Sequence, residues 1–142
     1  MTGKLFQDSK VIVYTDGGAR GNPGPAAIGV VIGDKQYGEY IGETTNNVAE
    51  YQAVIFALKK LKQLLGQKGV ESSEVEVHSD SELITRQING KYKIKEKELQ
   101  NLFVEVWNLK MDFPNIKFIH IPREKNTAAD QMVNEALDKH LK

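Results

Sequence analysis

Four acidic residues stand at positions from which they could act together on a bound metal ion: Asp16, Glu50, Asp80 and Asp130. Asp16 ends a short apolar run rich in β-branched residues, which predicts a buried strand, and Asp80 follows a second such run. If these strands are parallel, both acids lie at the carboxyl edge of one sheet, where α/β proteins place their sites. Glu50 and Asp130 fall in the first turns of two predicted helices. Carboxylates gathered in this way repel one another unless a cation neutralises them.

The donor set indicates which cation would suit. The chain has no cysteine and only three histidines, so disulfides and thiolate metal sites are excluded, and hard oxygen ligands of this kind favour Mg²⁺ or Mn²⁺. Two such ions held roughly 3.5–4 Å apart by shared carboxylates form a clamp for in-line phosphodiester cleavage. One ion activates the attacking water, and the other stabilises the leaving 3′ oxygen.

Each acid also has an ordinary structural explanation. The segment from Asn47 to Glu50 has the form of a capping box, and Asp80 and Asp130 stand at comparable places near predicted helix starts. Acids near helix N-termini are also favoured by the helix dipole. Taken singly, capping is the better explanation of these three, whereas Asp16 is harder to explain because strands are depleted in aspartate. Its alternative is a turn residue. The catalytic hypothesis therefore depends on the four acids as a set.

The elements that must position these acids follow from periodicity and turn residues, in the order β-β-β-α-β-α-α-β-α. Short turns make the first three strands an antiparallel meander, while helical connections predict that strands one, four and five are parallel. The sequence thus predicts one α/β domain over residues 1–142, with a mixed five-stranded sheet flanked by helices. The predicted strands cover 11–16, 26–32, 36–43, 75–79 and 116–121, the helices 48–65, 81–88, 96–111 and 127–141, and the longer loops 17–25 and 66–73.

Composition narrows the class of protein. Hydrophobic residues make up 40% and charged residues 27%, as in soluble globular proteins. Neither a signal peptide nor a membrane span is expected, which favours a cytoplasmic protein without membrane contact, and we expect a monomer.

The formal net charge is zero, so contact with nucleic acid would need local positive charge. Lysines 91, 93, 95 and 97 form such a run, although runs of this kind are usually solvated loops.

Four linked segments closely resemble the motifs of the ribonuclease HI family: Tyr14–Pro25, Thr44–Tyr51, Ser79–Leu83 and Asn126–Asp130. The resemblance covers nearly the whole chain, in order and with sensible spacing. It implies the ribonuclease H-like fold, with strand order 3-2-1-4-5. It also implies that the four acids are the catalytic, metal-binding residues, and that the protein cuts the RNA strand of RNA–DNA hybrids to leave 5′-phosphate and 3′-hydroxyl ends.

The same resemblance implies substrate contacts. Members of the family read 2′-hydroxyls across the minor groove, as RNA recognition generally requires. The matching positions are the backbone around Gly18 and Ala19 and the side chains of Asn22 and Asn46, with Asn47 beside them. The alternative for the asparagines is turn and cap chemistry.

Two further positions match contacts to the DNA strand. Thr45 matches a position that holds a phosphate of that strand, and Lys95 falls near another.

This chain departs from the family pattern in several ways. Many members have Gln where Glu82 stands, so we expect Glu82 to contact RNA differently. The loop before the last acid lacks the mobile histidine of many members, and we expect Arg123 to take its place by pairing with the scissile phosphate or by helping the product leave; the alternative is an exposed loop cation. The basic handle helix is missing, and no separate hybrid-binding domain is expected, so affinity should be modest and salt-sensitive.

This compact form resembles archaeal and some bacterial members, of which some also act on double-stranded RNA. A side activity on that substrate is therefore implied. Two other functions stay open at this point: a catalytically silent hybrid-binding module, and another nuclease activity of the same superfamily. The preferred ion and the cleavage-site preference stay open as well.

Overall fold

Apolar strands alternate with amphipathic helices along the chain, as the computed structural model shows for residues 10–142. Residues 1–9, on which the expectation of no signal peptide rests, lie outside the described residues. The elements within these residues are β1 (Lys10–Ala19), β2 (Gly24–Ile32), β3 (Lys35–Thr44), α1 (Asn46–Ser72), β4 (Glu74–Ser79), α2 (Glu82–Ile88), α3 (Lys97–Lys110), β5 (Asn115–His120) and α4 (Thr127–His140), with a 3₁₀ turn at Arg123–Lys125.

The five strands form one mixed sheet in the order β3-β2-β1-β4-β5. β1 pairs antiparallel with β2, and β2 pairs antiparallel with β3. β1 and β4, and β4 and β5, are parallel, because helices return the chain to the same end of the sheet before each of these strands begins. The predicted fold class and strand order are confirmed.

Helices cover both faces of the sheet. α1 packs on β1 and β2 and against α3, while α4 packs on the other face over β1, β2 and β3. The larger core lies under α1, where Val13, Leu58 and Val77 are each no more than 1% exposed. A smaller cluster under α4 joins Ala27 to Val133 and Leu137. Since β1 lies at the centre of the sheet, the end of this strand is within reach of helices from both layers.

The predicted loop over 17–25 is wrong in extent. β1 continues to Ala19 and β2 begins at Gly24, so only four residues turn between them. The amide of Arg20 donates to the carbonyl of Pro25 at 2.8 Å and closes this hairpin. Glycine and proline marked a tight turn here, and the sequence pattern overstated its length.

The predicted loop over 66–73 is also wrong. α1 extends to Ser72, with one non-helical residue, Gly66, at φ 70° and ψ 174°. Glycine adopts this conformation without steric cost, so the helix changes direction and then resumes. Val70, which is 5% exposed, anchors the resumed segment in the core.

The remaining predicted bounds differ from the observed ones by one or two residues, as is usual at element ends. In the described part of the chain, no helix has both the length and the apolar character that spanning a bilayer requires.

Candidate active site

Three carboxylates meet at the edge of the sheet where β1 and β4 end. Asp16 lies on β1, Asp80 directly follows β4, and Glu50 projects from α1. One oxygen from each lies within 4.8 Å of the others. Parallel pairing of β1 with β4 brings Asp16 and Asp80 to the same edge. The structure thus brings together three of the four acids that the sequence singled out.

Glu50 projects from the second turn of α1, which starts two residues earlier than predicted. Thr45 is the N-cap residue, and its hydroxyl accepts from the Val48 amide at 3.2 Å. Glu50 therefore lies beyond the first turn, too far along the helix to complete a capping box. Ser81 caps α2 in the same way, accepting from the Ile84 amide at 3.2 Å. Capping, the ordinary explanation for Glu50 and Asp80, is therefore wrong.

Burial and mutual repulsion disfavour charge on these acids. Burial, with smaller contributions from Asp80 and Asp130, raises the pKa of Asp16 from 3.8 to about 8. Burial also raises the pKa of Glu50 well above its usual value, and the neighbouring Asp16 and Asp80 add to the effect. A carboxyl group in this situation keeps its proton unless positive charge is supplied.

One oxygen of the cluster lacks a partner within residues 10–142. Glu50 Oε1 is buried and accepts no hydrogen bond there. A buried oxygen without a partner is costly in a folded protein, and an absent ion is one common explanation. Together with the all-oxygen donor set, this orphaned atom fits a hard divalent cation held by Asp16, Glu50 and Asp80.

The fourth acid, Asp130, lies in the first turn of α4 at the rim of the same site. It is exposed, and it is close enough to contribute to the raised pKa of Asp16. Asp130 and Arg123 line one cleft of about 320 Å³ together with the three clustered acids. Arg123 is exposed on the 3₁₀ turn, and its positive charge acts on Glu50 by lowering the pKa that burial raises.

Of the positions expected to contact RNA, Gly18, Ala19 and Asn46 line this cleft, whereas Asn22 does not. The Oδ1 atom of Asn46 accepts from the Ala19 amide at 2.8 Å, and the Oδ1 atom of Asn22 accepts from the Asn46 amide at 2.9 Å. These bonds tie the end of β1 and the β1–β2 turn to the start of α1 across 27 and 24 positions of sequence, so they differ from the local turn and cap chemistry that was the alternative for these asparagines. They use only the side-chain oxygens, and within residues 10–142 both exposed NH₂ groups stay unengaged.

Four other expected contact residues do not line the cleft. Thr45 and Asn47 lie at the start of α1, where Thr45 serves as the cap. Glu82 is exposed at the start of α2 and pairs with Arg86 at 2.9 Å. Lys95 is exposed in the segment between α2 and α3. Any contact of these residues with a substrate would lie outside the acidic cleft.

Asn126 is a site residue that sequence reasoning did not single out. It is only 1% exposed, and its Nδ2 donates to the Thr15 carbonyl at 2.9 Å and to Asp80 Oδ2 at 3.3 Å. An asparagine before a helix predicts a cap, yet Asn126 makes no side-chain cap hydrogen bond. The sequence carries no local signal for a bridge between strand β1 and Asp80.

Comparison with known proteins places this geometry in a family. Residues 14–136 match the family described as reverse transcriptase-like. The chain is 34% identical to a ribonuclease H of Clostridium botulinum, an alignment that covers 92% of this chain and 97% of that protein. Its structure superposes with a TM-score of 0.88 on LC11-RNase H1, which was solved in complex with an RNA/DNA hybrid. Those two chains are 55% identical over 93% of this chain and 99% of the other.

Other relatives are longer than this chain. A bifunctional protein of Mycobacterium tuberculosis is 37% identical over 136 residues, which cover 91% of this chain and 36% of that protein. The chain therefore spans about a third of the length of the first curated relatives that it matches.

Proposed function

This chain belongs to the ribonuclease H family, and from that membership we propose that it is an endoribonuclease cutting the RNA strand of RNA–DNA hybrids. The products would carry 5′-phosphate and 3′-hydroxyl ends. The observation that carries the proposal is the convergence of Asp16, Glu50 and Asp80, with carboxylate oxygens within 4.8 Å of one another. The likeness to LC11-RNase H1, a protein solved with such a hybrid, supports this choice of substrate.

Mg²⁺ or Mn²⁺ is the proposed cofactor, with two ions expected when substrate is bound. Such ions supply an activated water and stabilise the leaving oxygen in phosphodiester hydrolysis. Asp16, Glu50 and Asp80 would hold them, with Asp130 at the rim as the fourth ligand. The raised pKa of Asp16 supports this role, because a bound cation would displace the proton that burial and the neighbouring acids favour.

The chain's other residues supply substrate contacts. The free NH₂ groups of Asn22 and Asn46 would donate to 2′-hydroxyls, beside the backbone at Gly18 and Ala19. Arg123 lines the same cleft as the acid cluster and would pair with the scissile phosphate or assist product release.

Four residues outside the cleft are proposed to touch the substrate further along. Thr45 and Lys95 would contact phosphates of the DNA strand. Asn47 and Glu82 would contact the RNA strand beyond the acidic cleft.

Three finer points belong to the same proposal. All the residues invoked come from one copy of the chain, so we expect a monomer to be active as one domain. A side activity on double-stranded RNA is proposed, because the proposed 2′-hydroxyl contacts involve one strand only. We also propose that the protein works in the cytoplasm.

The test is cleavage of end-labelled substrates. The RNA–DNA hybrid, the matching double-stranded RNA and the matching double-stranded DNA are each incubated with Mg²⁺, Mn²⁺ or EDTA. We expect metal-dependent cutting of the RNA strand of the hybrid, abolished by Asp80→Asn. Asp34→Asn, an exposed change in the β2–β3 turn, is the matched control and should cleave normally.

The other outcomes discriminate between the functions that the sequence left open. Hybrid binding without cleavage in any lane, by a folded protein, would favour a silent binding module. Equal cutting of the all-DNA duplex would favour another nuclease activity. Cutting of double-stranded RNA would establish the side activity.

A further inference from the structure

Asp130 differs from the other three acids in being exposed, so something other than burial must orient its side chain. Asn134, one helical turn further along α4, makes two contacts with it. Its Nδ2 donates to the Asp130 carbonyl at 3.1 Å and to Asp130 Oδ2 at 3.3 Å. This leaves the other carboxylate oxygen of Asp130 available to the cleft.

The Asn134 amide is itself oriented from a different part of the chain. Arg20, in the β1–β2 turn, donates from Nη2 to Asn134 Oδ1 at 3.3 Å. The same guanidinium pairs with Asp138 Oδ1 at 2.7 Å. A guanidinium can only donate, so the oxygen of Asn134 must face Arg20, and its NH₂ group must then face Asp130. The assignment of the amide is therefore fixed by chemistry.

The spacing of the three residues on α4 places them in one row along the helix. Positions 130, 134 and 138 succeed one another at four-residue intervals and so lie on one face of the helix. The Arg20 guanidinium contacts the last two of these residues, Asn134 and Asp138. Arg20 and Asn134 both line the acidic cleft, and Arg20 is two residues before Asn22, a proposed RNA contact.

We propose that Asn134 is a positioning residue that holds the Asp130 carboxylate toward the metal site, with Arg20 fixing the orientation of the Asn134 amide. The inference rests on the proposed function, since it assigns a task to the fourth acid. Loss of the Asn134 donor would leave the Asp130 side chain free to rotate into solvent. Catalytic turnover would then fall, while hybrid binding, which depends on other residues, would not.

Two variants separate this role from a merely structural one. Asn134→Leu removes both contacts. Asn134→Asp keeps an acceptor for Arg20, and adds an ion pair with it, but turns a carboxylate toward Asp130. We expect kcat to fall about fivefold or more in both variants, with KM for the hybrid within twofold of wild type. For Asn134→Asp the melting temperature should stay the same or rise while kcat falls, whereas damaged folding would lower both.

Arg20 is tested through its coupling to Asn134. Arg20→Met should lower kcat, and Arg20→Lys should restore part of it because lysine keeps a charged donor. The double variant Arg20→Met/Asn134→Leu should be no slower than Asn134→Leu alone, since both changes break one arrangement. The ¹H–¹⁵N signals of the Asn134 side-chain amide, identified by their loss in Asn134→Leu, should shift in Arg20→Met.

Gln131→Leu is the matched control. It removes an amide–carboxylate contact of the same i,i+4 type on the same helix, between Gln131 and Glu135 at 2.9 Å, and kcat should be unchanged. An active wild type with kcat retained in both Asn134 variants would overturn the inference. So would additive effects of Arg20 and Asn134, or an Asn134 amide signal that ignores Arg20→Met. An inactive wild type would instead refute the proposed function, and the amide signals would still test the Arg20–Asn134 contact.

Discussion

Gly17 in β1 packs directly against the backbone of Ala49 in α1. A Cβ atom at position 17 would overlap the Ala49 carbonyl group and the Glu50 amide nitrogen. The two elements can approach this closely only because glycine has no side chain. Asp16 and Glu50 are the adjacent residues on each side of the contact, so the approach of helix to strand also sets how near these two carboxylates lie.

Gly17→Ala should therefore damage both stability and activity. The added methyl group would overlap backbone atoms of Ala49 and Glu50. Backbone atoms cannot rotate away as a side chain can, so α1 would have to move away from β1. We expect a loss of about 2–4 kcal/mol in the free energy of unfolding, measured by urea denaturation, and a large drop in cleavage. Gly18→Ala is the stability control, because its Cβ would meet Val133 Cγ1 at an ordinary 3.6 Å. Equal stability of the two variants would contradict the argument.

The fold could be predicted from the sequence where periodicity and turn residues agree. β-branched runs marked β1 and β4, and the short turn at Gly33 marked the β2–β3 hairpin. Prediction failed at a glycine, because glycine commonly ends a helix but can also lie at a change of direction within one. Gly66 reads as the end of a helix, yet α1 resumes beyond it, because Val70 gains enough burial to anchor the next turn. Such tertiary gains are not encoded in a local pattern.

The raised pKa of Asp16 predicts how the metal-free protein responds to pH. A carboxyl group with a pKa of 3.8 in the unfolded chain and about 8 in the folded one binds its proton more tightly when folded. Its contribution therefore favours folding below about pH 4, and this stabilisation is lost progressively as the pH rises towards 8. Asp16→Asn removes the titration. At pH 8 with EDTA, we expect this variant to be more stable than wild type by about 2 kcal/mol, roughly 5–8 °C in Tm.

Two comparisons make this measurement specific. The advantage of Asp16→Asn should shrink at pH 5, where the wild-type group is protonated in the folded state. Adding Mg²⁺ at pH 8 should raise the Tm of wild type more than that of Asp16→Asn, because the ion neutralises the repulsion that the variant lacks. Asp34→Asn should follow wild type in every condition. A wild type more stable than Asp16→Asn at pH 8 without metal would show that ionised Asp16 does not destabilise the folded protein.

Asn126 joins the last helix to the centre of the sheet, and its replacement by aspartate should be costly. Asn126→Asp keeps the shape but loses the donor to the Thr15 carbonyl and places a carboxylate beside Asp80. We expect a loss of about 2–4 kcal/mol in unfolding free energy at pH 7, together with a lower kcat. Denaturation and cleavage assays would measure both. Asn101→Asp, an exposed change on α3, should be neutral, and a neutral Asn126→Asp would refute the bridging role.

The site was predictable to the extent that its residues share a recognisable motif and a sheet edge. All four acids lie in a recognisable motif, and two of them, Asp16 and Asp80, also lie at the ends of neighbouring strands. The contacts that hold them could not be predicted: Asn126 stands in the last of these motifs but touches Thr15 across 111 positions of sequence, and Asn134 depends on Arg20 from another element. Contacts of this kind arise from how helices settle on the sheet, and a single sequence gives no spacing by which to find them.

Asn46 uses its side-chain oxygen inside the protein, while its NH₂ group is unengaged within residues 10–142. This predicts that a variant can fold normally but recognise RNA poorly. Asn46→Asp keeps the oxygen that accepts from the Ala19 amide and replaces only the free NH₂ group. An acid at the start of α1 is also favoured by the helix dipole, so stability should be unchanged or slightly higher. We expect KM for the hybrid to rise about three- to tenfold, with kcat at saturating substrate close to wild type.

Added negative charge near a nucleic acid could produce the same rise in KM, and Gln52→Glu together with salt distinguishes the two causes. Gln52→Glu makes the same amide-to-acid change on α1, at a position that neither lines the cleft nor is a proposed contact, and its KM should stay within threefold of wild type. If the lost donor is responsible, the ratio of KM between Asn46→Asp and wild type is the same at low and at high salt. If repulsion is responsible, that ratio falls towards one at high salt, because charges beyond about 10 Å are already screened at 0.1 M and nearer ones as the salt rises. The steady-state KM of the pair, measured at two salt concentrations, decides whether Asn46 reads RNA through its amide.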